Sequence, residues 1–250
     1  MNKLTIIILT YNEQRHIKEC IESAKFANEI LVVDSGSSDD TVRIAQDNGA
    51  RVISHPITDG FAAQRNFALK QANTEWVMFL DADERITPKL AGEIIQAVKS
   101  DSVLAYEIPR RNIAFGHWLR YGGWYPDYCL RLYPRTEVVY DGIVHEKAIV
   151  NIAKQKLKYP LDHYTYDDWD RYFIKFNSYT TLMASQLYEK GKRANILSIV
   201  FRPIWAFFRT YILKLGFLDG KMGFIMAAFH YFYTMAKYVK LYYMQRSENI

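Results

Sequence analysis

Apolar residues in the first hundred positions come in short unbroken runs, separated by stretches of helical spacing. Leu4-Thr5-Ile6-Ile7-Ile8-Leu9, Ile30-Leu31-Val32-Val33 and Val77-Met78-Phe79-Leu80 are apolar or β-branched throughout. A strand covered on one face alternates apolar and polar residues, so a run apolar at both parities predicts a strand buried on both faces. Arg51-Val52-Ile53-Ser54 reads as a shorter strand. Between the runs, Ile17, Cys20, Ile21 and Ala24 fall on one helical face. Val42, Ile44 and Ala45 belong to a second helix, residues 61–72 to a third, and Pro88 opens a fourth through Leu90, Ile94, Ile95 and Val98. Strand and helix in alternation predict an α/β domain whose mainly parallel sheet carries helices on both faces.

The pattern changes from Val103 onward. Residues 104–150 mix prolines and aromatics with short alternating runs such as Leu130-Arg131-Leu132-Tyr133 and Val138-Val139-Tyr140, and are predicted to be β-rich. Residues 168–190 have helical spacing (Trp169, Tyr172, Phe173, Phe176, Tyr179) and end at Gly191. Residues 194–250 are predicted helical. Their apolar stretches carry Arg202, Pro203, Arg209, Lys214 and His230, short of the about 20 uncharged apolar residues that a membrane span asks for.

Charge sharpens the division. The net +5 of the 250 residues conceals ten Lys/Arg against two Asp/Glu in 190–250, and 22 against 25 in 1–189. A basic, aromatic tail suits a helix lying in an anionic membrane interface, and the alternatives are a packed helical hairpin or a dimer contact. An acidic body without a nucleic-acid motif argues against nucleic acid as a partner. Two cysteines, Cys20 and Cys129, form neither a disulfide framework nor a zinc spacing, which points to a reducing compartment, and the N-terminus lacks the pattern of a signal peptide.

The candidate chemistry lies where the buried runs end. Val77-Met78-Phe79-Leu80 runs into Asp81-Ala82-Asp83-Glu84, and acids cannot enter such a core unpaired. The strand is expected to stop near Asp81 and leave its acids at the carboxyl edge of the sheet, where α/β proteins bind ligands. If extended geometry persists, Asp81 and Asp83 point the same way and suit a hard cation such as Mg2+ or Mn2+. The plainer alternative is an acidic loop in which Asp83 or Glu84 caps the next helix. Ile30-Leu31-Val32-Val33 likewise ends on an acid, Asp34, followed by a turn and helix cap at Ser35-Gly36-Ser37-Ser38-Asp39-Asp40-Thr41.

In order and spacing, Thr10-Tyr11-Asn12-Glu13, residues 32–41, Gln64-Arg65-Asn66 and Asp81-Ala82-Asp83 resemble the inverting nucleotide-sugar glycosyltransferases of family 2, which have the GT-A fold. Trp124-Tyr125-Pro126-Asp127, Arg131-Leu132-Tyr133 and Val144-His145-Glu146 are similar to the lipopolysaccharide-core branch, which includes β-1,4-glucosyltransferases acting on inner-core heptose. The resemblance implies a GT-A, Rossmann-like catalytic domain over 1–190, with a nucleotide-sugar half (1–100) and an acceptor half (101–190), followed by a membrane-associating tail over 191–250. It implies a nucleotide-diphosphate sugar donor such as a UDP-sugar, a lipid-linked saccharide acceptor, and a cytoplasmic enzyme peripheral on the inner face of the cytoplasmic membrane.

By the same resemblance Asp83 is the direct metal ligand and Asp81 contacts the ribose or the metal through water. Asp34 meets the base, Thr10, Tyr11 and Glu13 wrap the nucleoside, and Arg65 sits near the diphosphate or pairs with Asp34. Inversion also needs a carboxylate to take the acceptor's proton. Many members of the family place it in a Glu-Asp pair that this chain lacks after its metal motif, and the candidates here are Glu146 and Asp127. His145 is either a further metal ligand or a structural hydrogen-bonder. Arg131 and Arg135 either bind an anionic acceptor or are solvated strand arginines. Other activities weighed are a glycosyltransferase for another surface polysaccharide, a sugar nucleotidyltransferase, against which the absence of a glycine-rich phosphate loop counts, and a non-catalytic sugar-nucleotide-binding protein.

Overall fold

The computed structural model describes residues 3–100, 103–142 and 147–246. Contacts gather the chain into two compact units, one of residues 1–110 and 127–163, the other of 111–126 and 164–250.

The first unit is built on three parallel strands, β1 (Leu4–Thr10), β2 (Glu29–Asp34) and β4 (Trp76–Asp81), with β3 (Arg51–Ser54) beyond β2. Helices α1 (Ile17–Ala24), α2 (Thr41–Asp47) and α3 (Gly60–Gln71) make the connections. The buried runs behave as their composition dictates. On β1, Ile6 and Ile8 join a core with Ile17, Cys20 and Ile21 of α1, while Ile7 faces a second core with Ala68 and Leu69 of α3. On β4, Met78 and Leu80 take the first face, and Val77 and Phe79 the second. A strand with both faces covered has no position for a polar side chain, which is why these runs are unbroken.

Beyond β4 the sheet turns antiparallel. Strand β5 (Glu84–Ile86) is followed by α4 (Pro88–Lys99), β6 (Ala105–Ala114), β7 (His117–Trp118), β8 (Asp127–Pro134), β9 (Val138–Asp141), β10 (Lys147–Val150), β11 (Lys154–Lys156) and β12 (Leu161–Tyr166). The main path of the sheet runs β3-β2-β1-β4-β8-β6-β12-β5, and β9 and β10 form a separate antiparallel pair. The N-cap of α4 is Thr87, whose hydroxyl accepts from the Leu90 N–H, with Pro88 behind it. Glu84 therefore does not cap that helix. It enters β5 and is completely buried.

Burial of Glu84 depends on Arg131 of β8. The Arg131 guanidinium, itself 8% exposed, donates to Glu84 Oε1 at 2.7 Å and to Asp81 Oδ2. Arg131 is thus neither an acceptor-binding arginine nor a solvated one, contrary to both expectations, because only a buried cation lets the acids after β4 stay in the fold. Arg135 likewise turns inward, donating from Nε to the Thr74 carbonyl at 3.1 Å.

The second unit is dominated by α5 (Trp169–Glu189), α6 (Ile196–Phe208) and α7 (Gly220–Met244). The expected boundary at 190 does not separate them. Helix α5 turns its aromatic face onto α7, with Tyr172 and Phe229 rings 5.0 Å apart and Phe176 and Tyr233 rings 5.7 Å apart. The break at Gly191 is a turn within this unit. Helix α6 continues through a π-helical turn, Arg209–Leu213, so that Ile196–Leu213 forms 18 helical residues long and apolar enough to cross a membrane by length and composition, most of them exposed. Its two arginines and Pro203 still leave the stretch apolar enough, against the expectation that its charges are too many. The turn into α7 needs glycine at 223, since a Cβ there would lie 1.9 Å from the Gly216 carbonyl oxygen.

Replacing Arg131 by Met should cost about 3–5 kcal/mol, because it removes the cation bonded to buried Glu84 and leaves only Arg110 Nη1, 3.7 Å away. At roughly 2–4 °C per kcal/mol for a chain of this size, the melting temperature should fall by roughly 10 °C. Adding Glu84→Gln should recover part of the loss. A melting temperature within a degree or two of the parent's for Arg131→Met would show that the ion pair does not hold the sheet together.

Candidate active site

The register of the parallel strands brings the chemistry to one edge. Thr10 is paired beside Asp34, and Leu9 beside Asp81, so β2, β1 and β4 end together, in that order. The loops that leave this edge are tied to each other. The Asn12 N–H donates to Ser37 Oγ at 2.8 Å, the Glu13 N–H to Thr41 Oγ1 at 2.8 Å, and the Ser38 N–H to Asn12 Oδ1 at 2.8 Å. Asn12 has φ +55°, a left-handed conformation that asparagine tolerates better than most residues.

Asp34 is 2% exposed and shapes the second loop: its Oδ2 accepts the N–H groups of Gly36 and Ser37, each at 2.9 Å, and its Oδ1 accepts the Ser37 hydroxyl. Thr10 is also buried, and among the described residues its hydroxyl has no hydrogen-bond partner. A buried polar atom left unsatisfied in the protein marks a place where a ligand or water completes the bonding. Tyr11 is exposed and at the surface of the same loop.

Asp81, Asp83 and Glu84 do not act as a row. Residues 82 and 83 form a turn, so extended geometry ends at Asp81. Asp81 meets two cations, Arg131 by a hydrogen bond and Arg65 at 3.6 Å. Burial alone would raise its pKa, but Arg131 and then Arg65 outweigh that and hold the carboxyl well below the usual range. For Glu84, burial is the largest effect and Asp81 adds to it, so its pKa is raised despite Arg131. A proton taken up by this pair therefore resides on Glu84. Glu84 Oε2 also accepts the Asp81 N–H at 2.9 Å, which fixes the strand end. Asp83 stands apart, 26% exposed, with His163 Nε2 3.6 Å from its Oδ2.

Arg65 packs its guanidinium 4.9 Å from the Phe79 ring centroid and 5.2 Å from that of Tyr140, whose hydroxyl is bonded to that of Tyr133. Asn66 of the same motif is bonded both ways to the backbone of Tyr140, and Gln64 is bonded to His55. The Gln64-Arg65-Asn66 motif thus orients one arginine toward Asp81 and uses its neighbours to anchor α3. Asp127 Oδ2 accepts from both Nε and Nη2 of Arg110, at 2.9 and 2.6 Å. Glu146 and His145 lie outside the described residues.

Sequence reasoning gives Arg131 and Glu84 the wrong roles and misses Arg110, Tyr140 and His163. For Arg131 a signal existed: an arginine inside an apolar strand needs a buried acid, and the chain has three together after β4. The others follow from antiparallel pairings that no local pattern encodes.

Among the described residues no three of His, Cys, Asp and Glu converge as a metal cage. The donors near Asp83 are its own carboxylate oxygens and the His163 imidazole, and the oxygens of Asp81 already serve arginines. Such a set fits a divalent ion that fills most of its shell with substrate phosphate oxygens and water.

Residues 5–150 match the family model described as Glycosyl transferase family 2. Over 99% of this chain and 96% of the relative, the sequence is 32% identical to the lipopolysaccharide core biosynthesis glycosyltransferase LpsC of Rhizobium meliloti (strain 1021). An uncharacterized glycosyltransferase of Rickettsia felis is 30% identical, with 95% of this chain and 89% of that one covered. Among solved structures, glucosyl-3-phosphoglycerate synthase from Mycobacterium tuberculosis, in complex with Mn2+, UDP and glucosyl-3-phosphoglycerate, has a TM-score of 0.50 over 76% of this chain and 80% of that one at 17% identity, a likeness of fold. With more than half its length matched by the family model and a relative aligned almost end to end, the chain belongs to glycosyltransferase family 2 and has a GT-A-like fold.

Proposed function

We propose that the protein moves a sugar, glucose in the simplest reading, from a nucleotide-diphosphate sugar to a lipid-linked saccharide such as the lipopolysaccharide inner core, with inversion at the anomeric carbon. The observation that carries the reading is the alignment of Thr10, Asp34 and Asp81 at the ends of three adjacent parallel strands. The similarity to LpsC supports the acceptor class.

In this reading the cross-linked loops around Thr10, Tyr11, Glu13 and Asp34 hold the nucleoside. Asp34 orders the loop and Thr10 offers its buried hydroxyl. Asp83, with Asp81 behind it, would hold Mg2+ or Mn2+, and His145 remains a candidate third ligand. When bound, the ion would neutralise charge on the departing diphosphate. Arg65 lies beside Asp81 and adds positive charge at the same edge. The base takes the proton of the acceptor hydroxyl as its oxygen attacks the anomeric carbon opposite the leaving group. Glu146 is preferred over Asp127, because Nε and Nη2 of Arg110 both donate to Asp127 Oδ2 and hold that carboxylate in place. Charge and shape also support peripheral attachment to the inner face of the cytoplasmic membrane. Phe201, Ile204 and Trp205 of α6 are each at least half exposed, among Arg202, Arg209 and Lys214.

Asp83→Ala should abolish sugar transfer and metal-dependent donor binding while far-UV circular dichroism and melting temperature stay near the parent's. Near-normal turnover with the same metal requirement would remove Asp83 from the site.

For the base, kcat should fall about a hundredfold or more in Glu146→Gln with donor affinity little changed, in line with what general-base catalysis contributes. If Asp127→Asn shows that signature and Glu146→Gln is nearly silent, the roles are reversed.

The full chain should sediment with anionic vesicles, bind neutral ones weakly, and come off as salt screens charges over about 10 Å at 0.1 M. Binding that resists both high salt and alkaline carbonate would mean that Ile196–Leu213 crosses the bilayer, and no binding to either vesicle would end the membrane reading.

A further inference from the structure

The helical unit contains a cavity of about 330 Å3 that the nucleotide-sugar reading does not use. This volume lies at the lower end of the range for small-molecule sites. Trp124, Tyr166, Tyr172 and Phe229 supply aromatic walls, and Lys214 and His230 supply polar ones. Asp, Glu, Asn and Gln are missing from the described lining. Saccharide sites are built around such carboxylates and amides, which bond to paired hydroxyls, so this lining suits an apolar body better than a sugar.

Several local features shape this space. The π-helical turn at the end of α6 turns Thr210 inward, where its hydroxyl lies 2.9 Å from His230 Nδ1. Single π-turns of this kind are frequent at functional sites. Gly122 and Gly123 both have positive φ, and a Cβ on Gly123 would lie 2.4 Å from Lys214 Nζ. The Gly122 N–H donates to the Lys214 carbonyl at 2.8 Å. The Lys214 side chain therefore lies against the backbone of Gly122 and Gly123, whose positive φ favours glycine at both positions. Burial, then the nearby cations Lys237, Lys214 and Arg209, hold the His230 pKa below its ordinary value. The same π-turn carries Ile212 and Leu213 on its exterior, both exposed.

We propose that this cavity binds a phosphate-bearing lipid, with the phosphate at Lys214 and the hydrocarbon among the aromatic rings. The identity of the physiological lipid as the anchor of the acceptor rests on the proposed function. Binding itself does not.

The test is calorimetric titration of the full chain with dioctanoyl phosphatidic acid below its micellar concentration, beside dioctanoylglycerol and inorganic phosphate. The expected result is saturable one-to-one binding of phosphatidic acid. The two partial ligands should each bind at least about tenfold more weakly, as should phosphatidic acid to Lys214→Met, while Lys214→Arg stays near the parent, since hydrogen bonds to charged groups are of this size. No saturable binding, equal binding by Lys214→Met, or inorganic phosphate binding as tightly as the lipid would each overturn the proposal. Displacement of phosphatidic acid by deep-rough lipopolysaccharide at lower concentration than by dioctanoyl phosphatidylglycerol supports a site for the acceptor's lipid phosphate, and the reverse order supports the same site filled from bulk phospholipid. Asp83→Ala should bind phosphatidic acid normally, so failure of sugar transfer and failure of this site remain separate results.

Discussion

The acidic edge of the sheet exists because one guanidinium is buried beneath it. Asp81 and Glu84 lie close enough to share the terminal nitrogen Nη2 of Arg131. Two carboxylates held this near each other in a buried site cannot both stay ionised without a cation between them. With Arg131 in place, Asp81 remains charged at the mouth of the site, and Glu84 moves into the core as the start of β5. A hydrophobic trio of similar volume can pack as well, but it leaves no carboxylate ionised at the strand end.

The loops over that edge follow a related economy of means. Asp34 is almost fully buried and spends its oxygens on the turn that follows it, while Asn12 and Ser37 stitch the β1 loop to the β2 loop. This edge is therefore shaped by hydrogen bonds within the protein, which hold Asp34, Asn12 and Ser37 in place. Such preorganisation reduces the ordering cost of binding.

The first hundred residues were legible because their signals are local. A doubly buried strand must be apolar at both parities, and Thr87 followed by Pro88 supplies a capping hydroxyl and a first-turn proline, both favoured at helix starts. The order of β1, β2 and β4 follows from parallel crossovers, which leave few topologies. The second half was less legible. Arg131 looks like any strand arginine until β8 is known to lie against β4, and that antiparallel pairing of Trp76 with Pro134 spans nearly sixty residues. Gly191 reads as the end of a catalytic domain whose acceptor half includes α5, whereas the aromatic face of that helix packs on α7. The tail's arginines suggested a stretch too polar to span a membrane, but hydropathy averaged over 18 helical residues tolerates two of them.

The double pairing within the acidic cluster gives the edge a built-in reserve. Arg131 has two acids, Asp81 has two arginines, and Glu84 has Arg110 Nη1 at 3.7 Å besides Arg131, so no charge there depends on a single partner. A ligand that draws the Asp81 carboxylate outward breaks one link and leaves Arg131 still neutralised by Glu84. The backbone stays where it was, because Glu84 also holds the Asp81 N–H. Load at the site is thus taken by a side chain that can move, while the strand beneath it is pinned from the opposite side.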